Sequence, residues 1–227
     1  CSSEIVIRMG ALAALGARAY VQAAYWQSSK ALFERTLAVT GRNYIIHNNL
    51  GVILAGEGKF DEAMRHYLAA LTIYPDYAEA HANMGRTLLQ SGKFGESYAH
   101  LAKALETLSK RPQVQSDMGT LLAAQGKFAE SKVHFEESLR IAPERADVHS
   151  NLGFVLQRLG DLDGAIAHCA EALRLKPDSV DAHYNMGTAL AAQGRNAEAA
   201  AELSRVLELS PGHAPARAAL EELRKAR

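Results

Sequence analysis

Amide side chains that could bind another chain recur along this sequence at a fixed interval, since Asn49 and Asn83 are separated by 34 residues and later copies keep the spacing. The column consists of Asn49, Asn83, Asp117, Asn151 and Asn185. Each carboxamide offers one acceptor and two donors. A row of them is suited to hydrogen-bonding the backbone of an extended peptide, whatever its side chains. The alternative is that the amides bond between adjacent helices and hold the repeats in register.

The histidines follow the same interval and raise the question of a metal site. One column contains His47, His81, His149 and His183, and another contains His66, His100, His134 and His168. Equivalent residues of neighbouring repeats are expected roughly 20 Å apart, given ~8–10 Å between packed helices. The ligands of one zinc ion all lie within about 2.1 Å of it. We therefore expect packing and surface positions here, and no metal.

Motifs for catalysis do not stand out from the repeat. No glycine-rich phosphate loop follows a predicted strand, and no grouping of Ser, His and Asp or of paired carboxylates is evident. We expect a chain that is not an enzyme and uses no cofactor.

The elements that position these columns are pairs of short helices. Five copies align without a gap, over 44–77, 78–111, 112–145, 146–179 and 180–213. The eighth position of each copy is glycine, which lets two helices approach closely: Gly51, Gly85, Gly119, Gly153 and Gly187. The fifteenth is also glycine, expected to end the first helix in the left-handed conformation: Gly58, Gly92, Gly126, Gly160 and Gly194. Proline at the thirty-second position ends the second helix in four copies: Pro75, Pro143, Pro177 and Pro211.

Two helices per 34 residues, with the pattern HANMGRTLLQSGKFGESYAHLAKAL, are similar to the tetratricopeptide repeat. The resemblance covers 44–213 and implies an all-α fold, a right-handed α-solenoid of helix hairpins that binds proteins or peptides. The sequence departs from the family at position 4, where the family's Trp or Tyr is mostly His. The column of asparagines resembles the ladder in the repeat superhelix of O-linked N-acetylglucosamine transferases, which implies peptide binding in a groove.

Residues on both sides of the five copies complete the predicted organisation. We expect an N-terminal helix and a degenerate repeat over 1–43, with one long helix as the alternative. Residues 214–227 are predicted to form a capping helix, with Pro215 near its start and a polar outer face.

The inner surface of the solenoid is expected to carry positions 2, 5, 6, 9, 12 and 13 of each first helix. Besides the column at position 6, the candidate peptide contacts are Asn48, Arg86, Phe154 and Tyr184. The family's clamp for a C-terminal carboxylate uses Lys at position 5 and Asn at position 9. Those slots hold Asn48 and Val52 here, so that clamp is not expected.

Composition narrows the class of partner. Lys plus Arg equals Asp plus Glu at 25 each, so no net field favours nucleic acid. Cys1 and Cys169 lie in different contexts, and no disulfide is expected. The N-terminal stretch is apolar, but Arg8 and Arg18 leave too few residues between them to span a membrane, for which about 20 are needed. A chain beginning with Cys suggests a fragment or a lipoprotein, and the apolar helix that follows favours a fragment.

Three functional hypotheses follow. The first is a non-catalytic scaffold that binds an extended peptide segment of a partner protein. The second rests on YWQSSKALFERTLAVTGRNYIIHNNLG, which resembles the junction in bacterial membrane proteins with C-terminal tetratricopeptide repeats, some related to protein O-mannosyltransferases. That resemblance implies an extracytoplasmic module presenting protein substrates to a membrane-bound glycosyltransferase; a cytoplasmic location stays open. The third is homo-oligomerisation through the N-terminal helix, which carries Ile5, Val6, Ile7, Leu12 and Leu15.

Overall fold

A computed structural model describes residues 42–225 and, upstream of them, Leu32, Phe33, Thr36, Leu37 and Thr40. The predicted N-terminal helix, most of the degenerate repeat and part of the junction resemblance therefore lie outside the described residues. The chain divides into two compact units, the first ending at Lys93 and the second beginning at Phe94. This division falls inside the predicted copy 78–111.

The regular structure of the described residues is entirely helical. The first unit contains α1 (Tyr44–Gly56), α2 (Phe60–Ile73) and α3 (Ala78–Gln90). The second contains α4 (Phe94–Leu108), α5 (Pro112–Ala124), α6 (Phe128–Ile141), α7 (Ala146–Arg158), α8 (Leu162–Leu175), α9 (Val180–Ala192), α10 (Asn196–Leu209) and α11 (Ala214–Lys225). The first helices of the copies, α1, α3, α5, α7 and α9, begin at the first residues of the five aligned copies. The fold is the all-α repeat solenoid that the sequence predicted.

The turn inside each hairpin depends on one glycine. Gly58, Gly92, Gly126, Gly160 and Gly194 have φ of 74°, 74°, 76°, 87° and 77°. An L-residue with a Cβ is strained at such values. The backbone then closes the helix end, as where Lys127 donates its N–H to the carbonyl of Leu122 at 2.9 Å. The predicted left-handed caps are confirmed.

The eighth-position glycines bring the two helices of a hairpin into contact. A Cβ built on Gly119 would lie 2.9 Å from two ring carbons of Phe135. One built on Gly187 would lie 2.9 Å from Cγ of Leu203, and one on Gly51 would overlap the ring of Tyr67. The close approach predicted for this column is confirmed in these hairpins. Packing of the large residue opposite offsets the ~1 kcal/mol that a glycine costs a helix.

The last helix covers the end of the second unit. Ala216 and Leu220 of α11 are buried against Leu203 and Val206 of α10. Residues on the other side of α11 are exposed, as solubility of a repeat array requires. Within residues 42–225, no helix combines the length and apolar character needed to cross a membrane.

Candidate functional site

In the first unit, the asparagines link neighbouring first helices. Asn83 on α3 donates from Nδ2 to Oδ1 of Asn48 on α1 at 3.0 Å. Asn48 in turn donates from Nδ2 to Oδ1 of Asn49 at 3.4 Å. Asn48 is only 5% exposed, so its carboxamide joins the two helices and is withdrawn from the surface. Here the amides bond between adjacent first helices, as the alternative role for the column requires.

In the second unit, the column divides into bonded and unbonded members. Asn185 on α9 donates from Nδ2 to the backbone oxygen of Ser150 at 3.1 Å and to its Oγ at 3.2 Å. Asp117 is buried and accepts from Nε2 of Gln113 at 2.8 Å. Within residues 42–225, Asn151 makes no side-chain hydrogen bond. Because no buried side-chain polar atom in that part of the chain lacks a partner, the Asn151 amide must be open to solvent.

Asn151 borders an apolar recess of about 290 Å³ between α5 and α7. The other residues that line it are Thr120, Ala123, Ala124, Phe135 and Phe154. Phe154 packs edge-on against Phe128, with ring centroids 6.1 Å apart. The Arg158 guanidinium lies 4.7 Å from the centroid of the Phe128 ring, within cation–π range. The structure thus brings two of the candidate contacts, Asn151 and Phe154, to one recess.

The first unit contains a comparable recess of about 210 Å³ between α1 and α3. It is lined by Val52, Ala55, Gly56, Tyr67, Asn83, Arg86, Thr87 and Gln90. Two candidate contacts, Asn83 and Arg86, therefore share this recess. Burial raises the pKa of Tyr67 above its ordinary value, so its hydroxyl is a neutral phenol at physiological pH.

Position 5 was predicted to lie on the inner surface, but in the structure it is largely covered. Asn48, Ser116 and Ser150 are buried at this position. Tyr184, the fifth residue of α9, packs its ring against His213, with centroids 5.0 Å apart, beside the apolar cluster under α11. The physical reason is that first helices of neighbouring copies meet here, as the Asn83–Asn48 and Asn185–Ser150 bonds show. The small residues at this position were the signal available in the sequence.

The two histidine columns meet inside two of the described hairpins, a contact that comparison of equivalent positions did not predict. Nδ1 of His47 lies 3.1 Å from Nδ1 of His66, and Nδ1 of His149 lies 2.9 Å from Nδ1 of His168. The same contact is made in two other copies by Gln115 with His134, at 2.7 Å, and by His183 with Glu202, at 2.6 Å. Positions 4 and 23 thus form a polar clasp between the helices of a hairpin.

The ring at position 4 is also fixed by the preceding turn. Nε2 of His149 lies 3.0 Å from the carbonyl oxygen of Pro143, and Nε2 of His183 lies 2.9 Å from that of Pro177. Because a carbonyl only accepts, Nε2 must carry the hydrogen in both rings. Within the described part of the chain, no three His, Cys, Asp or Glu residues form a group that could hold a metal ion.

Comparison with known proteins identifies the repeat. One family model, described as tetratricopeptide repeat, matches residues 54–118 and 156–223, and a second with that description matches residues 15–78 and 116–180. No curated protein matches the chain.

Solved structures of low sequence identity share the fold. The crystal structure of YrrB, a tetratricopeptide repeat protein with an unusual peptide-binding site, is 20% identical, with a TM-score of 0.68 over 83% of this chain and 97% of that one. The structure of Pseudomonas aeruginosa pilF is 19% identical, with a TM-score of 0.77 over 92% and 93%. The first repeat domain of Spaghetti (RPAP3), bound to the HSP90 peptide SRMEEVD, is 25% identical, with a TM-score of 0.50 over 52% and 94%.

Proposed function

The chain belongs to the tetratricopeptide repeat family, and on that premise we propose that it is a non-catalytic scaffold that binds an extended peptide segment of a partner protein. Proteins of this family generally mediate protein–protein interactions. The proposed contact surface in each unit is the exposed side of its first helices.

The observation that carries the proposal is the unbonded amide of Asn151 beside the recess that contains Phe154. An asparagine inside a helix is a mediocre helix former. In this copy it offers no hydrogen bond to the fold in return. An amide that can pair with a peptide backbone, next to a recess that takes an apolar side chain, combines the two contacts that an extended ligand needs.

The other candidate residues are assigned different roles in peptide binding. The oxygens of Asn49 and Asn83 would accept from a peptide N–H, while their bonds to the fold fix their orientation. Asn185 and the buried Asp117 would instead support the packing of the first helices. Arg86 in the first unit and Arg158 in the second would favour ligands with acidic residues beside the anchor. Asn48 and Tyr184 would act from behind, by positioning the first helices.

Two solved relatives support a peptide ligand in general terms. YrrB is described as having a peptide-binding site, and the RPAP3 domain was solved with an HSP90 peptide. The clamp slots at Asn48 and Val52 lack the lysine and asparagine that a C-terminal carboxylate would need, which favours an internal extended segment as the ligand.

The test is a display selection of random peptides on the intact chain, followed by fluorescence anisotropy with the selected sequences. Asn151→Ala should raise Kd about tenfold, since one or two hydrogen bonds at ~0.5–1.5 kcal/mol each are lost. Its unfolding free energy should stay unchanged. Asn185→Ala should leave Kd unchanged and lower the unfolding free energy by ~1 kcal/mol, because its hydrogen bonds to Ser150 are lost.

The matched control is Asn196→Ala, an equal truncation at the start of the second helix α10. It should leave Kd unaltered. Selected peptides that bind the Asn151 and Asn196 variants with wild-type affinity would reject the proposed surface.

An accessory module of a membrane-bound glycosyltransferase is the alternative proposal. It is favoured by the resemblance over residues 25–51, of which the structure describes only part. Reading the coding sequence upstream of this segment tests it. A region encoding several membrane spans would support the alternative, and a soluble domain there would reject it.

A further inference from the structure

We propose that His149 and His168 form a two-histidine chelate for a divalent transition ion, with Cu²⁺ and Ni²⁺ preferred over Zn²⁺. The two residues come from the two helices of one hairpin, α7 and α8. Their Nδ1 atoms face each other at 2.9 Å. Imidazole nitrogen is a favourable ligand for all three ions.

The spacing of the two nitrogens favours ions whose neighbouring ligands lie at right angles. With metal–nitrogen bonds of ~2.05 Å, two nitrogens 2.9 Å apart subtend about 90° at the metal, because half the spacing divided by the bond length is ~0.71. A tetrahedral angle would need a spacing of about 3.3 Å. The angle of about 90° is that of neighbouring ligands in square-planar or tetragonal sites, which are typical of Cu²⁺ and Ni²⁺. Water would occupy the remaining positions.

The surroundings of His149 already match those of a metal ligand. Its Nε2–H donates to the carbonyl oxygen of Pro143 at 3.0 Å, so the neutral ring presents a lone pair at Nδ1. Ligating histidines nearly always donate their other ring N–H to a carbonyl or carboxylate in this way. Small rotations of the two rings would turn both Nδ1 lone pairs towards one ion.

His168 needs only a change of tautomer. In the metal-free pair its Nδ1–H donates to Nδ1 of His149. On metal binding that hydrogen transfers through solvent to Nε2 of the same ring, so the imidazole stays neutral and no proton is lost. The carboxylates of Glu136, Asp161 and Glu171 act electrostatically on His168 and would also attract a cation.

The neighbouring thiol is not a third ligand. Cys169 is fully buried, and its Sγ would lie 2.5 Å from a Cβ added to Gly153, so it points into the helix contact. Burial raises the pKa of this thiol to about 12. Metal binding requires the thiolate.

The repeat provides internal comparisons. His47 and His66 make the same pair at 3.1 Å in the first unit, which gives an angle of about 98°. Gln115 and His134 show that glutamine at position 4 preserves the clasp. His149→Gln is therefore a change to a pair that the chain already uses elsewhere, and it removes one of the two ligands.

The experiment titrates the metal-free full chain with NiCl₂ by calorimetry and repeats the titration with CuCl₂ and ZnCl₂. His149→Gln should remove one bound equivalent of Ni²⁺ or raise the Kd for Ni²⁺ by more than about tenfold. Loss of a residue that only hydrogen-bonds to a metal ligand already costs about tenfold in affinity, so loss of a ligand should cost more. His134→Gln is the matched control and should keep every equivalent. The melting temperature of the wild type should rise with Ni²⁺ more than that of His149→Gln.

A second variant, His168→Gln, removes the ligand from the other helix and guards against a local defect in α7. It should lose the same equivalent. Unchanged stoichiometry and Kd in both variants, or tighter binding of Zn²⁺ than of Ni²⁺ and Cu²⁺ at this site, would overturn the proposal.

Discussion

Replacing Gly153 by alanine tests whether the eighth-position glycines exist for helix contact. The added Cβ would lie 2.5 Å from Sγ of Cys169 and 3.1 Å from the backbone oxygen of Ala165. A carbonyl oxygen of a helix cannot rotate away, so we place the overpacking cost near the top of the usual range, at ~3 kcal/mol. Alanine regains ~1 kcal/mol of helix propensity. The expected net loss of unfolding free energy is about 2 kcal/mol, or a melting temperature lower by about 4–8 °C.

The assay is urea denaturation followed by circular dichroism at 222 nm, with Gly56→Ala as the matched control. Gly56 ends α1, and no described atom outside its chain neighbours and the backbone of its own helix lies within 4 Å of a Cβ built there. Its alanine variant should be as stable as the wild type or slightly more stable, since only propensity changes.

A double substitution separates the sulfur contact from the backbone contact. In a Cys169→Ala background the Sγ is gone, so Gly153→Ala should cost less there by about 0.5–3 kcal/mol, the usual coupling between touching residues. Equal stability of Gly153→Ala and Gly56→Ala would refute the reasoning.

Three further predictions concern other groups in the second unit. Burial holds the pKa of His134 below its ordinary 6.5, against a smaller opposite effect of Glu130. Between the folded pKa of His134 and pH 6.5, the unfolded chain therefore binds more protons than the folded chain. The contribution of His134 to the unfolding free energy is complete above pH 6.5 and should be lost as the pH decreases from there through the folded pKa. Urea titrations should show a smaller loss of unfolding free energy for His134→Gln. Gly160→Ala should lose ~1–2 kcal/mol in the same assay although the site has room, because φ is 87°; no loss would show that the turn can rearrange. Cys169, with a pKa of about 12, should resist alkylation in the native chain and react once urea unfolds it, as peptide mass spectrometry can follow.

The helix hairpins could be predicted from the sequence because single residues determine them. A glycine at φ near 75° and a proline after a helix are local requirements, so the columns of Gly58 and Pro75 were sufficient to place the helix ends. The close contact at Gly119 was predictable for a similar reason, since one column of glycines faces a column of larger residues.

The division of the asparagine column could not be predicted in the same way. Asn151 and Asn185 occupy the same position, but Asn185 bonds to Ser150 of the preceding copy and Asn151 bonds to no described residue. Ser116 is the equivalent of Ser150 in the copy before Asn151, and its hydroxyl already hydrogen-bonds to Gln113 and Arg145. The column of asparagines does not contain that information. The histidine clasp was missed for another reason. His149 and His168 are at positions 4 and 23 of one copy, 19 residues apart. Comparing the same position in different copies does not relate them, whereas comparing positions 4 and 23 within one copy does.

The turn inside each hairpin requires one residue with a left-handed backbone conformation and sets no steric limit on its side chain. Apart from the chain neighbours of each glycine, no atom of a described residue lies within 4 Å of a Cβ placed on Gly58, Gly92, Gly126, Gly160 or Gly194. The residue just before each of them varies freely: Glu57, Ser91, Gln125, Leu159 and Gln193. A gene could therefore lengthen by tandem duplication of the repeat without a new turn sequence. One glycine at this position is sufficient for the chain to reverse direction, while the neighbouring residues vary.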